Sequence, residues 1–184
     1  MNLENKFQIH PLAQVGVFST IIEDLDLDYW VNACYDLQKN EPTSHEKSNS
    51  GGWQSRNDLQ HEKYFWPLVR IIQNEYSYLS GPAQPVTGMW YNVTSYTNWN
   101  FPHTHIEWAE LYPYKNYSGV LYLKTSPECG NIFFKNPLNV NDHLKIEPVE
   151  KMMLLFPSVL EHYVEPNLSQ EDRISISFNF NDDK

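Results

Sequence analysis

The sequence is poor in the residues that mark several common protein classes. It holds 2 cysteines in 184 residues, Cys34 and Cys129, far apart and outside any CxxC pair. No disulfide framework is therefore expected, and buried or half-buried free thiols are the default. No apolar run approaches the roughly 20 residues of a membrane-spanning helix. The first residues, Met1 to Gln8, lack the basic stretch followed by an apolar one that a secretory signal needs. The expectation is a soluble, cytoplasmic protein without a membrane partner. Positive charge is also scarce: 13 Lys and Arg against 23 Asp and Glu give a net charge of −10. Affinity for a phosphate backbone comes from clustered Lys and Arg, so no nucleic-acid partner is expected. Arginine occurs only at Arg56, Arg70 and Arg173, and an isolated arginine late in a chain is a candidate for a specific carboxylate partner.

What is present describes a globular chain. Hydrophobic residues are 41% and aromatics 15%, with 6 Trp and 12 Tyr, enough for a substantial core in one domain. Residues 5–20 are rich in β-formers and carry Pro11, which suits an irregular segment or a short edge strand. Asp28 to Gln38 places Trp30, Val31, Cys34, Tyr35 and Leu37 at amphipathic-helix spacing. A polar loop follows from Lys39 to Gly52. Phe65, Leu68, Val69, Ile72, Tyr76 and Leu79 then recur with helical period, predicting a long helix from near residue 60. Pro67 is tolerated only near its first turns, and Ser80-Gly-Pro stops it.

From residue 86 the pattern turns to short β runs broken by turn residues. They are Val86–Tyr96, Pro102–Trp108, Tyr117–Lys124, Asn131–Lys135, Leu144–Val149, Lys151–Phe156, His162–Glu165 and Ile174–Asn181. About eight such strands point to a jelly roll rather than βαβ units. The expected class is α+β, mainly β: a double-stranded β-helix, cupin-like, with N-terminal helices packed on it. One domain, 1–184, is expected, with a helix-rich part over 1–85 and the jelly-roll core over 86–184.

Within this core, Asn98 to Glu107 carries candidate chemistry. Alternate residues of a strand share a face, so an extended stretch would align His103, His105 and Glu107. His162 returns after the apolar run Met152 to Pro157, where a jelly roll would bring a residue beside an earlier strand. Two neutral nitrogens and a carboxylate on one side of a metal form the facial set of non-haem Fe(II) oxygenases. The bland alternative is a pair of hydrogen-bonded histidines on a half-buried strand. Arg173 adds weight: in Arg173-Ile-Ser-Ile-Ser-Phe178 it shares a face with Ser175 and Ser177, opposite Ile174, Ile176 and Phe178. Its planar fork suits a dicarboxylate, whereas the bland reading pairs it with Asp172 or Glu171 at the surface.

Several stretches then make a specific resemblance: Gly51-Gly-Trp-Gln-Ser55, Trp90-Tyr-Asn92, Asn100-Phe-Pro-His-Thr-His105, Ser118 to Leu123, Gly130 to Pro137, Leu155-Phe-Pro-Ser158, His162, and Arg173 to Asn179. The sequence resembles the 2-oxoglutarate- and Fe(II)-dependent dioxygenases, and within them a bacterial and phage group related in pattern to prolyl hydroxylases. The resemblance implies an iron held by His103, His105 and His162, with Glu107 as the alternative ligand. It implies 2-oxoglutarate held by Arg173 and Ser175. Asn92, Asn100 and Tyr122 are polar groups on or beside strands expected to line the barrel; the readings open for each are the keto-acid end and a core or turn role. It also implies O2 and a peptide or small-molecule substrate, hydroxylated with release of succinate and CO2. Trp90, Trp99 and Trp108 are expected in the core or pocket wall, and Trp108 to Asn116 as a loop at the barrel mouth. His61 and His143 are read as surface residues. Two other classes stay open: a cupin-like metalloenzyme that does not use 2-oxoglutarate, against which Arg173 counts, and a non-enzymatic jelly-roll binding module.

Overall fold

The computed structural model describes residues 15–80, 84–105 and 116–180. Residues 5–14 of the expected edge segment, Glu107, and most of the aromatic stretch from Trp108 lie outside the described residues. The described chain has two helices, α1 (Leu27–Asn40) and α2 (Trp66–Ser80), and strands β1 (Phe18–Ile21), β2 (Asn49–Ser50), β3 (Trp53–Gln54), β4 (Val86–Thr94), β5 (Trp99–His103), β6 (Tyr117–Lys124), β7 (Ile132–Asn136), β8 (Asn139–Ile146), β9 (Met152–Pro157), β10 (His162–Val164) and β11 (Arg173–Phe180). They form a six-stranded sheet, ordered β1-β9-β6-β11-β4-β3, and a five-stranded sheet, ordered β2-β5-β10-β7-β8. Two antiparallel sheets facing each other, with helices on one side, are the double-stranded β-helix expected from the strand pattern.

The alternation of β11 explains the layering. Ile174, Ile176, Phe178 and Phe180 face one way and join Met89, Tyr91, Val93, Leu68, Ile72 and Trp30 in the larger core cluster, between the six-stranded sheet and the helices. Arg173, Ser175, Ser177 and Asn179 face the other way, into a cavity between the two sheets. The second, smaller apolar cluster, with Val120, Leu154, Phe156 and Phe134, closes the inter-sheet space around that cavity. One sheet is therefore greasy toward the helices and polar toward its partner sheet.

Helix α1 begins where Asp26 accepts a hydrogen bond from the Tyr29 amide, 3.0 Å, as an N-cap. It buries Trp30, Ala33 and Cys34, and its Trp30 carbonyl accepts from the Tyr91 hydroxyl, 3.0 Å, locking helix to sheet. The second helix starts later than the expected position near residue 60. Leu59–His61 and Lys63–Phe65 are 3-10 turns, and the α-helix opens at Trp66 with Pro67 in its first turn, where a missing N–H costs nothing. Strand β8 also begins earlier than expected, because Asn136↔Asn139 and Lys135↔His143 pair across a tight turn; that hairpin overrides the turn tendency of Asn141-Asp142. The polar loop after α1 is not bare: β2 comes from it, β3 follows it directly, and the two extend the two sheets at one end of the cavity.

Candidate metal centre and anion pocket

Three histidines meet in the lining of the inter-sheet cavity. In the pairing of β10 with β5, His162 stands opposite His103. His105 lies just past the end of β5, so strand alternation does not bring it there; its amide donates to the Ser158 carbonyl, 2.9 Å, which anchors it beside the end of β9. One ring nitrogen from each of His103, His105 and His162 lies within 4.8 Å of the others.

The orientation of each ring is fixed from behind. The Nδ1 of His103 lies 2.7 Å from the Phe101 carbonyl, that of His162 2.9 Å from the Leu160 carbonyl, and that of His105 3.0 Å from Asn179 Oδ1. An acceptor oxygen at Nδ1 places the proton there, which leaves Nε2 with its lone pair. The Nε2 atoms of His105 and His162 face each other at 3.3 Å. Neutral imidazoles with Nδ1–H bonded to oxygens and Nε2 lone pairs converging form a donor set that fits a divalent transition metal.

Burial keeps these rings neutral. It pushes His105 down to about 4, with the neighbouring His103 adding to the effect. His162 is driven well below its ordinary value by burial and then by His103 and His105, and burial lowers His103 as well. A ligand imidazole must be unprotonated, so the site is ready without a titration step at neutral pH. The same shifts act on stability. In the unfolded chain these groups ionise near the ordinary 6.5, and in the fold they resist protonation down to about 4 for His105. Between those values the unfolded chain binds more protons, so stability rises with pH across that window. The metal-free protein should lose stability as pH falls from about 7 toward 4; urea midpoints measured across that range check this.

Arg173 stands farther along the same wall. It is 3% exposed, so the surface ion pair that was its alternative is absent: Glu171 pairs with Lys124, and Asp172 accepts from the Tyr35 hydroxyl. Its Nη1 donates to the carbonyls of Cys129, 2.8 Å, and Gly130, 3.2 Å, and its Nη2 to Thr94 Oγ1, 3.2 Å. No carboxylate among the described residues pairs with it. Burial lowers its pKa, with Tyr122 and Cys129 opposing, yet from so high an ordinary value a guanidinium stays charged. A buried cation beside a cavity, without a carboxylate partner among the described residues, is a site for an anion.

Ser175 lies between Asn92 and Tyr122 in the paired strands. Burial pushes the Tyr122 phenol up to about 12, so it remains a neutral donor. Asn92 Nδ2 donates to Ser177 Oγ, 3.0 Å. All the described candidates, His103, His105, His162, Arg173, Ser175, Asn92, Asn100 and Tyr122, line one cavity of about 500 Å³. Trp90 lines it too, stacked on His105 at 5.7 Å between ring centres. His61 and His143 are exposed.

Some contributors carried no sequence signal strong enough to name. Asn179 closes the hydrogen bond behind His105. Gln54, 5% exposed, lines the cavity from β3 beside Asn92; the quoted Gly51-Gly-Trp-Gln stretch contains it, without a role. Gly130 has φ +89°, and a Cβ there would lie 2.3 Å from the Glu165 carbonyl oxygen and 3.1 Å from Arg173 Nη1. Gly130→Ala should cost more than about 2 kcal/mol in a denaturant titration, from left-handed strain plus a backbone clash.

The fold is a jelly roll, and one of its cavities brings together a three-histidine cluster and a buried arginine. Residues 135–179, from β7 through β11, match the family model described as "Putative 2OG-Fe(II) oxygenase"; the match includes His162, Arg173 and Ser175. The fold is similar to that of SnoK, a non-haem α-ketoglutarate-dependent carbocyclase from nogalamycin biosynthesis, with TM-score 0.74 and 13% identity over 90% of this chain and 79% of that one. It is similar to a Pseudomonas putida prolyl-4-hydroxylase, TM-score 0.69 and 18% identity, covering 94% and 96%. A third likeness is to the viral collagen prolyl hydroxylase of Paramecium Bursaria Chlorella virus-1, solved as its 2-oxoglutarate complex, with TM-score 0.61 and 13% identity over 88% and 93%. No curated protein sequence matches the chain. The chain thus resembles the 2-oxoglutarate/Fe(II) oxygenases in fold along most of its length and in sequence along its last strands.

Proposed function

We propose that the protein is an Fe(II)- and 2-oxoglutarate-dependent oxygenase that hydroxylates a peptidyl side chain or a small molecule. The observation that carries this reading is the pairing, in one cavity, of three converging imidazole lone pairs with a buried arginine that has no carboxylate partner among the described residues. His103, His105 and His162 would hold the iron, and Glu107 stays the alternative ligand. Arg173 would take the distal carboxylate of 2-oxoglutarate as a charge-assisted fork with the Ser175 hydroxyl as a further donor, and Asn92, Asn100 and Tyr122 would serve the keto-acid end. Bound iron with its 2-oxo acid supplies O2 activation: substrate C–H, O2 and 2-oxoglutarate become C–OH, succinate and CO2.

The chain's own contribution is placement. Behind each imidazole a fixed oxygen holds the ring, so the metal side is open without reorganisation. The apolar wall of Val120, Ile132, Phe156 and Trp90 limits water around a reactive centre. The cavity, about 500 Å³, is larger than a five-carbon diacid requires, which leaves room for part of a substrate beside Trp90. Similarity to prolyl hydroxylases supports a peptidyl proline as one candidate; similarity to an antibiotic-pathway carbocyclase supports a small molecule as another.

The test is an anaerobic Fe(II) titration with and without 2-oxoglutarate, read by the weak visible charge-transfer band of the chelate. A band that needs both components supports the reading, as does slow succinate formation on admitting O2. Tight iron binding without any band would instead favour a cupin-like enzyme that does not use 2-oxoglutarate, and no iron binding would leave a jelly-roll module whose histidines merely pack.

A further inference from the structure

We infer that Asn179 is a positioning residue that sets the tautomer of His105, held in the required orientation by Ser118 and Ser158. This rests on the proposed metal role of His105. Asn179 sits on β11, on the cavity face it shares with Arg173 and at the opposite end of the strand. Its neighbours in the paired strands are Gly88 and Ser118.

The amide oxygen of Asn179 receives two groups. His105 Nδ1 lies 3.0 Å from it, and the Ser118 hydroxyl donates to it at 2.8 Å. Ser118 Oγ is in turn 2.8 Å from Ser158 Oγ, and both serines are fully buried. Ser158 also accepts the His105 amide through its own carbonyl at 2.9 Å. One residue thus holds the His105 backbone directly and its ring through a relay: Ser158 hydroxyl to Ser118 hydroxyl to Asn179 Oδ1, which accepts the Nδ1–H of His105.

The orientation of that amide decides what His105 offers. With Oδ1 toward the ring, Nδ1 carries the proton and Nε2 is a free lone pair. With the amide turned over, its N–H would require an unprotonated Nδ1, and the His105 proton would move to Nε2. There it would point at His162 Nε2, 3.3 Å away, and close the cluster as a histidine–histidine hydrogen bond. The serine relay, which donates toward Oδ1, favours the open form. His103 and His162 need no such device, because each Nδ1 meets a main-chain carbonyl that cannot turn over. Nδ2 of Asn179 has no acceptor among the described residues.

Two readouts test this in the full-length chain. Long-range 1H–15N spectra of the metal-free protein report the imidazole tautomers. Wild type should show His105 protonated at Nδ1, and Asn179→Leu should show a mixture or the Nε2–H form. Co(II) titration, followed by its visible d–d bands, should show roughly 10- to 100-fold weaker binding in Asn179→Leu, the size expected when a partner of a metal-bound histidine is lost. Asn179→Asp, which keeps an acceptor oxygen, should restore both the tautomer and the affinity, a rescue that a purely packing role would not require. An unchanged His105 tautomer and unchanged Co(II) affinity in Asn179→Leu would overturn the inference. Should that variant fail to fold, Ser118→Ala carries the test: it is expected to mix the His105 tautomers and weaken Co(II), and wild-type behaviour overturns the inference equally. If wild type itself binds no Co(II), the metal reading falls, while the tautomer spectra still judge Asn179.

Discussion

His162→Ala is expected to reduce Fe(II) or Co(II) affinity at least a hundredfold while leaving a folded protein. Loss of a residue that only orients a ligand already costs roughly 10- to 100-fold, and His162 is proposed as a ligand itself. It is the most buried of the three histidines, 4% exposed, on a three-residue strand held on both sides: opposite His103 in β5 and opposite Phe134 in β7. The strand is secured by these main-chain pairings, so truncating the side chain does not release it. The metal-free variant should differ from wild type in one more way. His162 stays neutral in the fold far below the pH at which the unfolded chain protonates it, and its own neighbours His103 and His105 deepen that resistance. Removing it takes away one group that favours the unfolded state in acid, so the fall of stability with decreasing pH should be shallower. Isothermal titration with Co(II), together with urea midpoints at several pH values, checks both parts. Wild-type metal affinity in His162→Ala would remove this residue from the centre.

The legibility of this site in the sequence followed the range of the forces involved. β6 was readable to the residue, since Tyr117–Lys124 is an apolar run whose ends are marked by turns. The face shared by Arg173, Ser175 and Ser177 was readable because a strand's period is fixed by its backbone. The same rule served less well for His105. Strand β5 covers Trp99–His103, rather than the expected Pro102–Trp108, since its pairing partners are Asn49, Ser50 and the irregular β10 edge. His105 reaches the cluster through a bend and the Ser158 carbonyl, a contact 53 residues away in sequence that no local pattern encodes. The partners of Arg173 were hidden for a similar reason. Two are main-chain carbonyls, of Cys129 and Gly130, and any residue type supplies a carbonyl. What the sequence shows there is only a glycine, whose left-handed backbone and close approach to Glu165 are meaningful once the fold is known. Asn179 lay in a quoted stretch without a role, because its partners, His105 and Ser118, are 74 and 61 residues away in sequence. The second helix shows the converse case: the period from Phe65 to Leu79 marks which side packs, but the residues expected to open the helix from near 60 form 3-10 turns up to Phe65.

Arg173→Ala is expected to separate the two halves of the proposed site, abolishing 2-oxoglutarate use while leaving the metal in place. Truncating one partner of a buried, hydrogen-bonded charge pair costs about 2–5 kcal/mol, or roughly 30- to several-thousand-fold in affinity by the usual conversion. Metal binding should survive because Arg173 makes no hydrogen bond to any of the three histidines; its contacts are Cys129, Gly130 and Thr94. Those contacts imply a stability loss as well, since two carbonyls and a threonine hydroxyl lose a donor in a buried setting. Arg173→Lys distinguishes charge from geometry. An ammonium retains the positive charge, but it is a point donor and cannot both span the Cys129 and Gly130 carbonyls and present a planar pair of N–H groups to a carboxylate. It should therefore recover part of the stability and little of the 2-oxoglutarate affinity. Anaerobic Fe(II) titrations of both variants, with the charge-transfer band followed against 2-oxoglutarate concentration, measure this directly. Unchanged 2-oxoglutarate affinity in Arg173→Ala would leave the buried guanidinium as a structural clamp on the Cys129–Gly130 turn and detach the dicarboxylate from this pocket.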